Sequence, residues 1–528
     1  MNNNTMVIDF YEFTMAQTYF DKGEQNKKVY FDIFFRKNVF NGGYTIMAGL
    51  DEMIDYIENF HITEEDIEYL RSTNQFTDKF LDYLKDLRFT GNIFAVPDGV
   101  PVFPNEPVLT IRANVIEAQL LETALLACFN YAAAITTTAK RIANVAQVPV
   151  MEFGARRARG IEGANLASKY AFMGGFCGTS NVRAAIDNNI PALGTMAHSL
   201  ICDAEKEDYD NKNDEEIREL FLEKIGDMKY KYNMDNVDLN ADNEYLAFLE
   251  YSMSNPNNCV YLVDTFDTLR KGVPNAIRIA RDFLVPNGLK FKGIRIDSGD
   301  LAYLAKETRK MLDEAGFNDA TICLSNDLDA ETIESLKTQQ TPFNNLGVGT
   351  KAVANDANVG GVYKLVAIER HNEIIPRIKV SNETIKTINP GYKRVYRFYD
   401  KNTNYALGDV VALYDEVIPN DEYTLICPTD EWKQTTIKNY YVRELQVPIY
   451  INGKLVYKNP TLRERQQICN TEFRTLYPEI QRLKFPHEYY VDLSRKLLDL
   501  KKDLINKAIG EDYGRAKVRT AQPNNRRI

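Results

Sequence analysis

The sequence predicts an α/β protein with a parallel sheet in the middle of the chain. Between residues 148 and 368, short runs rich in Val, Ile and Leu alternate with stretches of helical periodicity. This pattern is typical of parallel strands that are covered on both faces. Polar residues follow most of the runs. In an α/β barrel the carboxyl ends of the strands meet at one mouth, so we expect these residues to converge on a single site.

Seven runs are predicted to form strands. They are 148–153 (VPVMEF), 190–195 (IPALGT), 259–264 (CVYLVD), 292–297 (KGIRID), 320–325 (ATICLS), 345–348 (NLGV) and 362–368 (VYKLVAI). The clearest helix between them is LAYLAKETRKMLDEAGF, residues 301–317. Its apolar residues recur at i, i+3 and i+4, and Gly316 is placed to end it.

The flanks of this region have a different character. The N-terminal flank contains VYFDIFF, a polar helical stretch near 62–88 and a proline-rich segment that suits edge strands and turns. The last contains alternating segments such as KRVYRFYD and a charged helix at 492–508. The acidic stretch 204–245 is predicted to be a surface insertion. We expect three parts: a strand-rich N-terminal lobe over 1–130, the α/β region over 131–370, and a C-terminal region over 371–528 that packs on both.

Composition excludes several classes of protein. The 528 residues carry a formal net charge of −10, whereas binding of nucleic-acid phosphates needs clustered Lys and Arg. The seven cysteines are scattered and form no C-x-x-C pair, so neither a disulfide framework nor a zinc site is indicated. The N-terminus lacks a basic and apolar leader, and no window approaches eighteen uninterrupted apolar residues. We expect a cytoplasmic protein that binds neither nucleic acid nor a membrane.

Three motifs at the predicted strand ends indicate the chemistry of the site. Arg295 and Asp297 are two apart on a strand and project to the same side, which suits an oxygen-rich ligand, although a structural salt bridge would use the same pair. LGVGTKAV (346–353) places two glycines before a helix start, where free N–H groups bind anions. EFGARRARG (152–160) adds three arginines that could also lie on a solvated surface. Together these motifs indicate a pocket for a phosphorylated sugar.

Nine motifs resemble, in order, those of the nicotinate phosphoribosyltransferase family. They are DFYEFTMAQTYF, EFGARRARG, GTSNVRAA, GTMAHSLI, VDTFDTLRKGVPNA, GIRIDSGDLAYLAKETRKMLDEAGF, LSNDLD, GVGTKAV and GGVYKL, and INGKLVYKNPTL extends the match toward the C-terminus. The resemblance implies a type II phosphoribosyltransferase fold, an irregular α/β barrel with a strand-rich N-terminal lobe and a C-terminal region. It also implies condensation of nicotinate with phosphoribosyl pyrophosphate to nicotinate mononucleotide and pyrophosphate, with Mg²⁺ and coupled ATP hydrolysis, as the first step of NAD salvage.

The resemblance gives a role to His198, one of only four histidines. The family's histidine in GTMAHSLI accepts a phosphoryl group from ATP. A neutral imidazole is a good nucleophile near physiological pH, and its phosphoramidate is labile enough to pass the group on. The residues alone leave open, and would favour, a core histidine bonded to a backbone carbonyl.

The same resemblance implies the other site residues. Contacts to nicotinate are expected from Tyr11, Phe153, Arg156, Ser180, Thr195 and Arg295, with Tyr11 reaching the site from the partner subunit of a homodimer. Contacts to the phosphoribosyl and phosphate groups are expected from Arg157, Ser325, Asn326, Gly347, Gly349 and Thr350. Asp297 would be catalytic, and Asp264 and Asp297 would lie on the ribose and Mg²⁺ side. Catalysis would rest on orientation and on stabilisation of an oxocarbenium-like centre.

Ser180 bears on the choice of base. Related nicotinamide-using enzymes carry an aspartate where this chain has Ser180 in GTSNV, and that carboxylate would repel nicotinate. Ser180 therefore favours the acid. Three alternatives stay open: nicotinamide phosphoribosyltransferase, quinolinate phosphoribosyltransferase and a non-catalytic ligand-binding relative. Ser180 argues against the first of these, and the retained His198 argues against the other two.

Overall fold

The structure is a computed structural model that describes residues 4–204, 232–354, 356–380 and 387–520, with a few residues between 212 and 223. Side chains are described as far as residue 510. The chain divides into two compact units. One is Thr138–Asn355, and the other combines Met1–Thr137 with Asp356–Ile528.

The strands are numbered in chain order. They are β1 (Lys28–Phe34), β2 (Thr45–Ile46), β3 (Asn92–Ala95), β4 (Pro101–Val102), β5 (Leu109–Asn114), β6 (Val150–Glu152), β7 (Gly178–Thr179), β8 (Val260–Leu262), β9 (Gly293–Ile296), β10 (Thr321–Asn326), β11 (Asn345–Val348), β12 (Val362–Arg370), β13 (Glu373–Pro376), β14 (Lys393–Asp400), β15 (Ala406–Leu413), β16 (Glu422–Ile426), β17 (Gln434–Lys438), β18 (Tyr440–Glu444), β19 (Val447–Ile451), β20 (Lys454–Leu455) and β21 (Val491–Leu493).

Helices are cited by their bounds. They are Phe10–Asp21, Leu50–Glu58, Glu64–Ser72, Asp78–Lys85, Val115–Gln119, Glu122–Ala146, Gly160–Met173, Val182–Asn188, His198–Asp203, Asn243–Ser254, Val273–Ile279, Leu301–Glu314, Ala330–Thr338, Thr350–Val353, Leu462–Arg474 and Arg495–Thr520. Wider π turns, Thr268–Gly272 and Ala280–Leu284, flank the helix Val273–Ile279.

The unit Thr138–Asn355 is built on a parallel sheet of six strands in the order β7-β6-β11-β10-β9-β8. Successive residues of β9, β10 and β11 are mostly buried, so both faces of the sheet are covered. Five of the seven runs predicted from the sequence form β6, β8, β9, β10 and β11. The α/β class and the parallel sheet are confirmed.

The helix predicted after the fourth run is Leu301–Glu314, and both of its ends are capped, the C-terminal one by the predicted Gly316. The Asp300 carboxylate accepts hydrogen bonds from the Ala302 and Tyr303 N–H groups, both at 3.1 Å. Beyond the last turn, Gly316 has φ +88 and the Phe317 N–H donates back into the helix. This left-handed residue is the C-terminal cap that glycine favours.

Two of the predicted runs do not join this sheet. The run 362–368 forms β12, which pairs antiparallel with β1 and β13 in the other unit. Placing it among the parallel strands was wrong, because an apolar run does not reveal the direction of its partner. The run 190–195 contributes only a parallel bridge from Ala192 to Thr179. Conversely, the two residues of β7 were not predicted, since so short a strand carries no periodicity.

The other unit is rich in strands, as predicted for the two flanks. A seven-stranded sheet has the order β13-β12-β1-β5-β3-β19-β20, and a four-stranded sheet has the order β18-β14-β15-β21. The larger sheet therefore combines strands from both ends of the chain. The polar stretch near 62–88 forms the helices Glu64–Ser72 and Asp78–Lys85, and the charged C-terminal helix is Arg495–Thr520.

Buried ion pairs hold this unit together. Arg397 and Asp409 are both fully buried with N and O 2.7 Å apart, and the Tyr489 hydroxyl donates to the same carboxylate at 2.7 Å. Arg465 bonds to Asp98 at 3.2 Å and to Asp51 at 2.9 Å. Loss of one partner would leave a buried charge uncompensated, so these pairs strongly restrict which substitutions the core accepts.

Among the described residues, one helical stretch, Val115–Ala146, is long and apolar enough to cross a membrane by length and composition alone. Of its most apolar window, 61% is buried inside the protein, as it is in core helices. The predicted insertion at 204–245 lies largely outside the described residues.

Candidate active site

The carboxyl ends of the parallel strands lie along one edge of the sheet. The register places Arg295 of β9 between Leu262 of β8 and Cys323 of β10. Ser325, further along β10, lies beside Gly347 of β11. The structure therefore brings together residues from strand ends that are widely separated in the sequence.

Arg295 is the most highly connected side chain of this edge. Its Nε donates to the Ser325 hydroxyl at 2.8 Å, and Nη2 pairs with an Asp297 carboxylate oxygen at 3.1 Å. Nη1 makes longer contacts, 3.4 Å to the Thr195 hydroxyl and 3.5 Å to the Met196 carbonyl. The salt bridge considered from the sequence is therefore present. The Nη1 group is only weakly bonded, so this edge of the guanidinium can donate hydrogen bonds to an anion.

Phe153 follows β6 and lies against this guanidinium. The Arg295 Cζ is 5.3 Å from the centroid of the Phe153 ring, a cation–π distance. Gly347 makes room for the ring, because a Cβ at that position would come within 2.5 Å of a ring carbon. Gly347 was predicted from the sequence to contact phosphate, and its packing against the ring was not predicted. Its contact with phosphate stays a prediction.

Asp264 and Asp297 follow neighbouring strands and are joined through the backbone. One Asp264 oxygen accepts from the Asp297 N–H at 2.9 Å and from the Ser298 hydroxyl at 2.6 Å. The other oxygen is buried and accepts no hydrogen bond from any residue that the structure describes. Only 1% of the Asp264 side chain is exposed. A buried carboxylate oxygen without a donor is costly, so it is suited to a cation or to a donor on a ligand.

His198 begins the helix His198–Asp203, and 40% of its side chain is exposed. Its Nδ1 lies 3.0 Å from the Thr265 hydroxyl, and its Nε2 lies 3.9 Å from the unsatisfied Asp264 oxygen. The second distance is too long for a hydrogen bond, so the carboxylate lies beside the ring without being bonded to it. The alternative of a core histidine bonded to a carbonyl does not describe this side chain.

The residues of this edge fit, through two carboxylates, the divalent cation that the resemblance implies. Across the described residues, no group of three or more His, Cys, Asp or Glu side chains is arranged to hold a metal ion. Mg²⁺, however, commonly uses one or two carboxylates together with waters and substrate phosphates. The unsatisfied oxygen of Asp264, next to Asp297, fits this mode of binding.

A buried carboxylate shapes the loop that carries Phe153. Glu152 accepts hydrogen bonds from the Ser168 hydroxyl at 2.9 Å, from the Thr179 hydroxyl and from the Gly154 N–H. It therefore holds the turn after β6. No function was predicted for Glu152 from the sequence. None was predicted for Thr265 and Ser298 either, although they lie within the motifs VDTFD and IDSGD.

Several predicted residues are not part of the bonded cluster. Arg156, Arg157 and Ser180 are exposed, and the Ser180 backbone N–H donates to the Glu152 carbonyl. Asn326 is exposed and has φ +124. This conformation is rare outside glycine, and such strain of about 1–3 kcal/mol is concentrated at functional sites. Thr350 is half-buried at the start of a single-turn helix after Gly349.

Tyr11 belongs to the other unit and lies on the helix Phe10–Asp21. The residue is 46% exposed, and Val7, Phe10 and Met15 are exposed beside it in the sequence. Burial of the phenol and a hydrogen bond to Glu122 raise the pKa of Tyr11, so the hydroxyl remains neutral.

A second buried carboxyl lies near Asp264. Glu244 accepts a hydrogen bond from the Asn275 amide at 3.2 Å, and the same amide donates to Asp242 at 2.9 Å. Burial raises the pKa of Glu244 to about 7. The charges of Asp242 and Asp264 act in the same direction, whereas the Asn275 bond and Lys271 oppose them. Glu244 therefore titrates near neutral pH.

Three family models match the chain in succession. The nicotinate phosphoribosyltransferase (NAPRTase) N-terminal domain matches residues 6–130, the NAPRTase family model matches 148–376, and the C-terminal domain matches 392–501. Together these matches cover most of the 528 residues.

Curated proteins and solved structures agree with these matches. A nicotinate phosphoribosyltransferase of Bacillus subtilis is 40% identical over 92% of each chain, and the human one is 30% identical over 93% of this chain and 95% of its own. The crystal structure of human nicotinic acid phosphoribosyltransferase superposes with a TM-score of 0.78 at 28% identity, covering 94% of this chain and 99% of that chain. The crystal structure of a nicotinate-nucleotide pyrophosphorylase from Pyrococcus furiosus has a similar fold, with a TM-score of 0.63. It is 21% identical and covers 90% of this chain and 96% of its own.

Proposed function

The chain belongs to the nicotinate phosphoribosyltransferase family, and on this premise we propose that the strand-end cluster around Arg295 is where its reaction takes place. The activity is that of the family, transfer of a phosphoribosyl group to nicotinate in NAD biosynthesis. The residue roles, the cation, the coupling to ATP and the dimer are the parts proposed here.

The observation that carries the proposal is the contact between Arg295 and Phe153. An aromatic acid needs a flat apolar surface for its ring and a cation for its carboxylate. The Phe153 ring and the Arg295 guanidinium supply both within 5.3 Å. The weakly bonded Nη1, next to Thr195, is the edge of the guanidinium that we assign to the nicotinate carboxylate.

In the transfer, the bond between ribose C1 and a pyrophosphate oxygen breaks, and pyrophosphate leaves with the electron pair. The nicotinate ring nitrogen forms the new bond to C1. Asp297, fixed by Arg295 and by the Ser325 hydroxyl, is assigned to the side of the ribose where positive charge develops. Gly347, Gly349 and Thr350 are assigned to the 5-phosphate.

Asp264 and Asp297 would hold Mg²⁺ together with the substrate's phosphates. The cation supplies positive charge that neutralises the pyrophosphate leaving group. The chain's own contribution is to keep one Asp264 oxygen unbonded while the Asp297 and Ser298 donors hold the other.

His198 is proposed to couple the reaction to ATP. An unprotonated ring nitrogen attacks the γ-phosphorus of ATP, ADP leaves, and hydrolysis of the phosphohistidine later returns the imidazole and phosphate. Thr265 and Asp264 flank the two ring nitrogens and orient the ring. The added negative charge beside Asp264 would change the affinity for phosphorylated ligands.

A homodimer is proposed in which Tyr11 reaches the partner's site. The support is the exposed apolar surface formed by Val7, Phe10, Tyr11 and Met15. Light scattering should give twice the chain mass. Tyr11→Ala should raise the KM for nicotinate without unfolding the monomer, and an unchanged KM would contradict the role of Tyr11.

A cytoplasmic location is also proposed. The seven cysteines, all of them described, form no disulfide with one another, which suits a reducing compartment. Fractionation of the source cells should recover the protein with cytoplasmic markers.

The substrate assignment is tested by measuring pyrophosphate release with nicotinate, nicotinamide and quinolinate in parallel. We expect a kcat/KM for nicotinate far above the other two, because Arg295 recognises one carboxylate and Ser180 leaves out the carboxylate that would select an amide. Equal values for nicotinate and nicotinamide would contradict this assignment. Turnover with none of the three bases would favour a binding protein.

The role of His198 is tested separately. Incubation with Mg·ATP should give an acid-labile, base-stable phosphoryl group on the peptide that contains GTMAHSLI. His198→Ala should abolish this adduct and ATP hydrolysis but keep some transfer without ATP, since Arg295 and Asp297 remain in place. His487→Ala, a change at a histidine of the other unit, serves as the matched control. A wild-type protein without the adduct, or an alanine variant with full ATP stimulation, would show the mechanism to be wrong.

A further inference from the structure

The unit that combines Met1–Thr137 with Asp356–Ile528 contains a cavity of its own. Its volume is about 590 Å³, within the range of ligand-binding pockets. The helix Arg495–Thr520, β1, β14 and β21 line it. None of the residues assigned to the transfer reaction is among its lining residues. We call this cavity the Lys501 cleft.

Much of the wall of the Lys501 cleft is apolar. The side chains of this part are contributed by β1, β21, the C-terminal helix and the segment before β14, and they are Phe34, Ile388, Val491, Leu493, Leu498 and Ile505. Four of them are almost fully buried, and Val491 and Ile505 are half-buried. Such a wall binds an aliphatic chain or a ring by removing its surface from water.

One charged pair of the cleft lining is satisfied within the protein. Lys393 pairs with Asp32 at 2.7 Å, and both side chains are almost completely buried. Asp32 also accepts from the Thr110 hydroxyl at 2.7 Å, and Lys393 donates to the Gly391 carbonyl at 2.7 Å. This pair needs no ligand, and the positive charge of Lys393 acts on Lys501, the next cation of the cleft.

Lys501 differs from Lys393 in its partners. Its ammonium donates to the Asn389 amide oxygen at 2.8 Å, and no carboxylate pairs with it among the residues that the structure describes. Burial and the positive charge of Lys393 lower the pKa of Lys501. A half-buried ammonium beside an apolar wall, with two N–H donors left, would be stabilised by an anion.

The rim adds a further excess of positive charge. Lys502 lines the cleft and pairs with Glu431, which also accepts from Arg495 at 3.4 Å. The single carboxylate of Glu431 therefore pairs with two cations at the rim, Lys502 and Arg495. Together with the unpaired Lys501, this arrangement favours an anionic ligand over a neutral or cationic one.

We propose that the Lys501 cleft binds a small amphipathic carboxylate, with the carboxylate on Lys501 and the apolar part against the wall that ends at Ile505. A single negative charge matches Lys501, the one lining ammonium that has no carboxylate partner among the described residues. The apolar wall accounts for the remainder of the molecule and distinguishes this site from one for inorganic phosphate. The site is independent of the transfer reaction and would exist whatever base that reaction uses.

The test is calorimetric titration of the full chain with decanoate, below the concentration at which decanoate aggregates. Decanol and decyltrimethylammonium, which share the tail but not the negative charge, are titrated in parallel. We expect decanoate to bind at least about tenfold more tightly than either. Trp432, the only tryptophan, follows Glu431, so its fluorescence gives a second readout at the rim.

Two variants locate the binding. Lys501→Met keeps the apolar stem and should weaken decanoate binding by at least about tenfold, whereas Lys507→Met, an exposed lysine on the same helix, should leave binding unchanged. Ile505→Phe narrows the cleft without touching the charge, and it should weaken decanoate and decanol alike. No decanoate binding, equal binding by the Lys501 variant, or displacement of decanoate by nicotinate would overturn the proposal.

Discussion

Replacing Arg295 with methionine separates its two roles, as a structural ion pair and as the cation that binds substrate. The side chain makes two good hydrogen bonds, at 2.8 Å to Ser325 and 3.1 Å to Asp297, and two weak ones beyond 3.3 Å. A bond to a charged group contributes about 1.5–3 kcal/mol. Because Asp297 is 31% exposed and partly screened, we expect the free energy of unfolding to fall by about 2–3 kcal/mol.

The effect on catalysis comes in addition. Loss of the guanidinium removes the proposed partner of the nicotinate carboxylate, worth about 2–4 kcal/mol, so kcat/KM for nicotinate should fall by roughly 30- to 700-fold. Most of the change should be in KM for nicotinate, with little change in KM for phosphoribosyl pyrophosphate. The measurements are urea denaturation and steady-state pyrophosphate release on the same preparation.

Arg309→Met is the matched control. Arg309 donates to the Ala320 and Phe317 carbonyls at 2.6 and 2.8 Å and pairs with Asp313, so it is equally well bonded but lies on the helix Leu301–Glu314. Its replacement should lower stability and leave both KM values unchanged. If Arg295→Met loses stability while its KM for nicotinate stays normal, Arg295 is a structural residue and the assignment of the base site is wrong.

Three further predictions concern neighbouring positions. Gly347→Ala should raise the KM for nicotinate several-fold, because the added Cβ displaces the Phe153 ring. Gly194→Ala is the control and should behave as wild type, since a Cβ at that position meets open space. Equal KM values for the two variants would contradict the packing of Phe153 on Gly347. Ser180→Asp should shift the ratio of kcat/KM from nicotinate toward nicotinamide, and an unchanged ratio would place base selection elsewhere. Glu244→Gln should raise the free energy of unfolding above pH 7, by at most about 3 kcal/mol, because only the ionised carboxyl carries the burial penalty. Below the ordinary carboxyl pKa of 4.5 the substitution should have little effect. Urea denaturation in both pH ranges measures the difference, and a variant that is less stable than wild type above pH 7 would contradict it.

Local sequence determined the elements of the α/β unit. The helix Leu301–Glu314, its Asp300 cap and the terminating Gly316 follow from periodicity and capping within fewer than twenty residues. The apolar runs of β8 to β11 were identified for the same reason, as was the polar character of the residues after them. Motifs in chain order were enough to indicate the family and to single out Arg295.

Tertiary structure alone decided which of these residues act together. The contact between Arg295 and Thr195 joins positions 100 residues apart, and His198 meets Thr265 across 67 residues. Gly347 leaves room for the ring of Phe153, which follows β6. The strand β12 belongs to the antiparallel sheet because its partner β1 lies in a different part of the chain. Periodicity records which face of an element is buried, but the identity of the neighbour on that face depends on long-range packing, which no local pattern encodes.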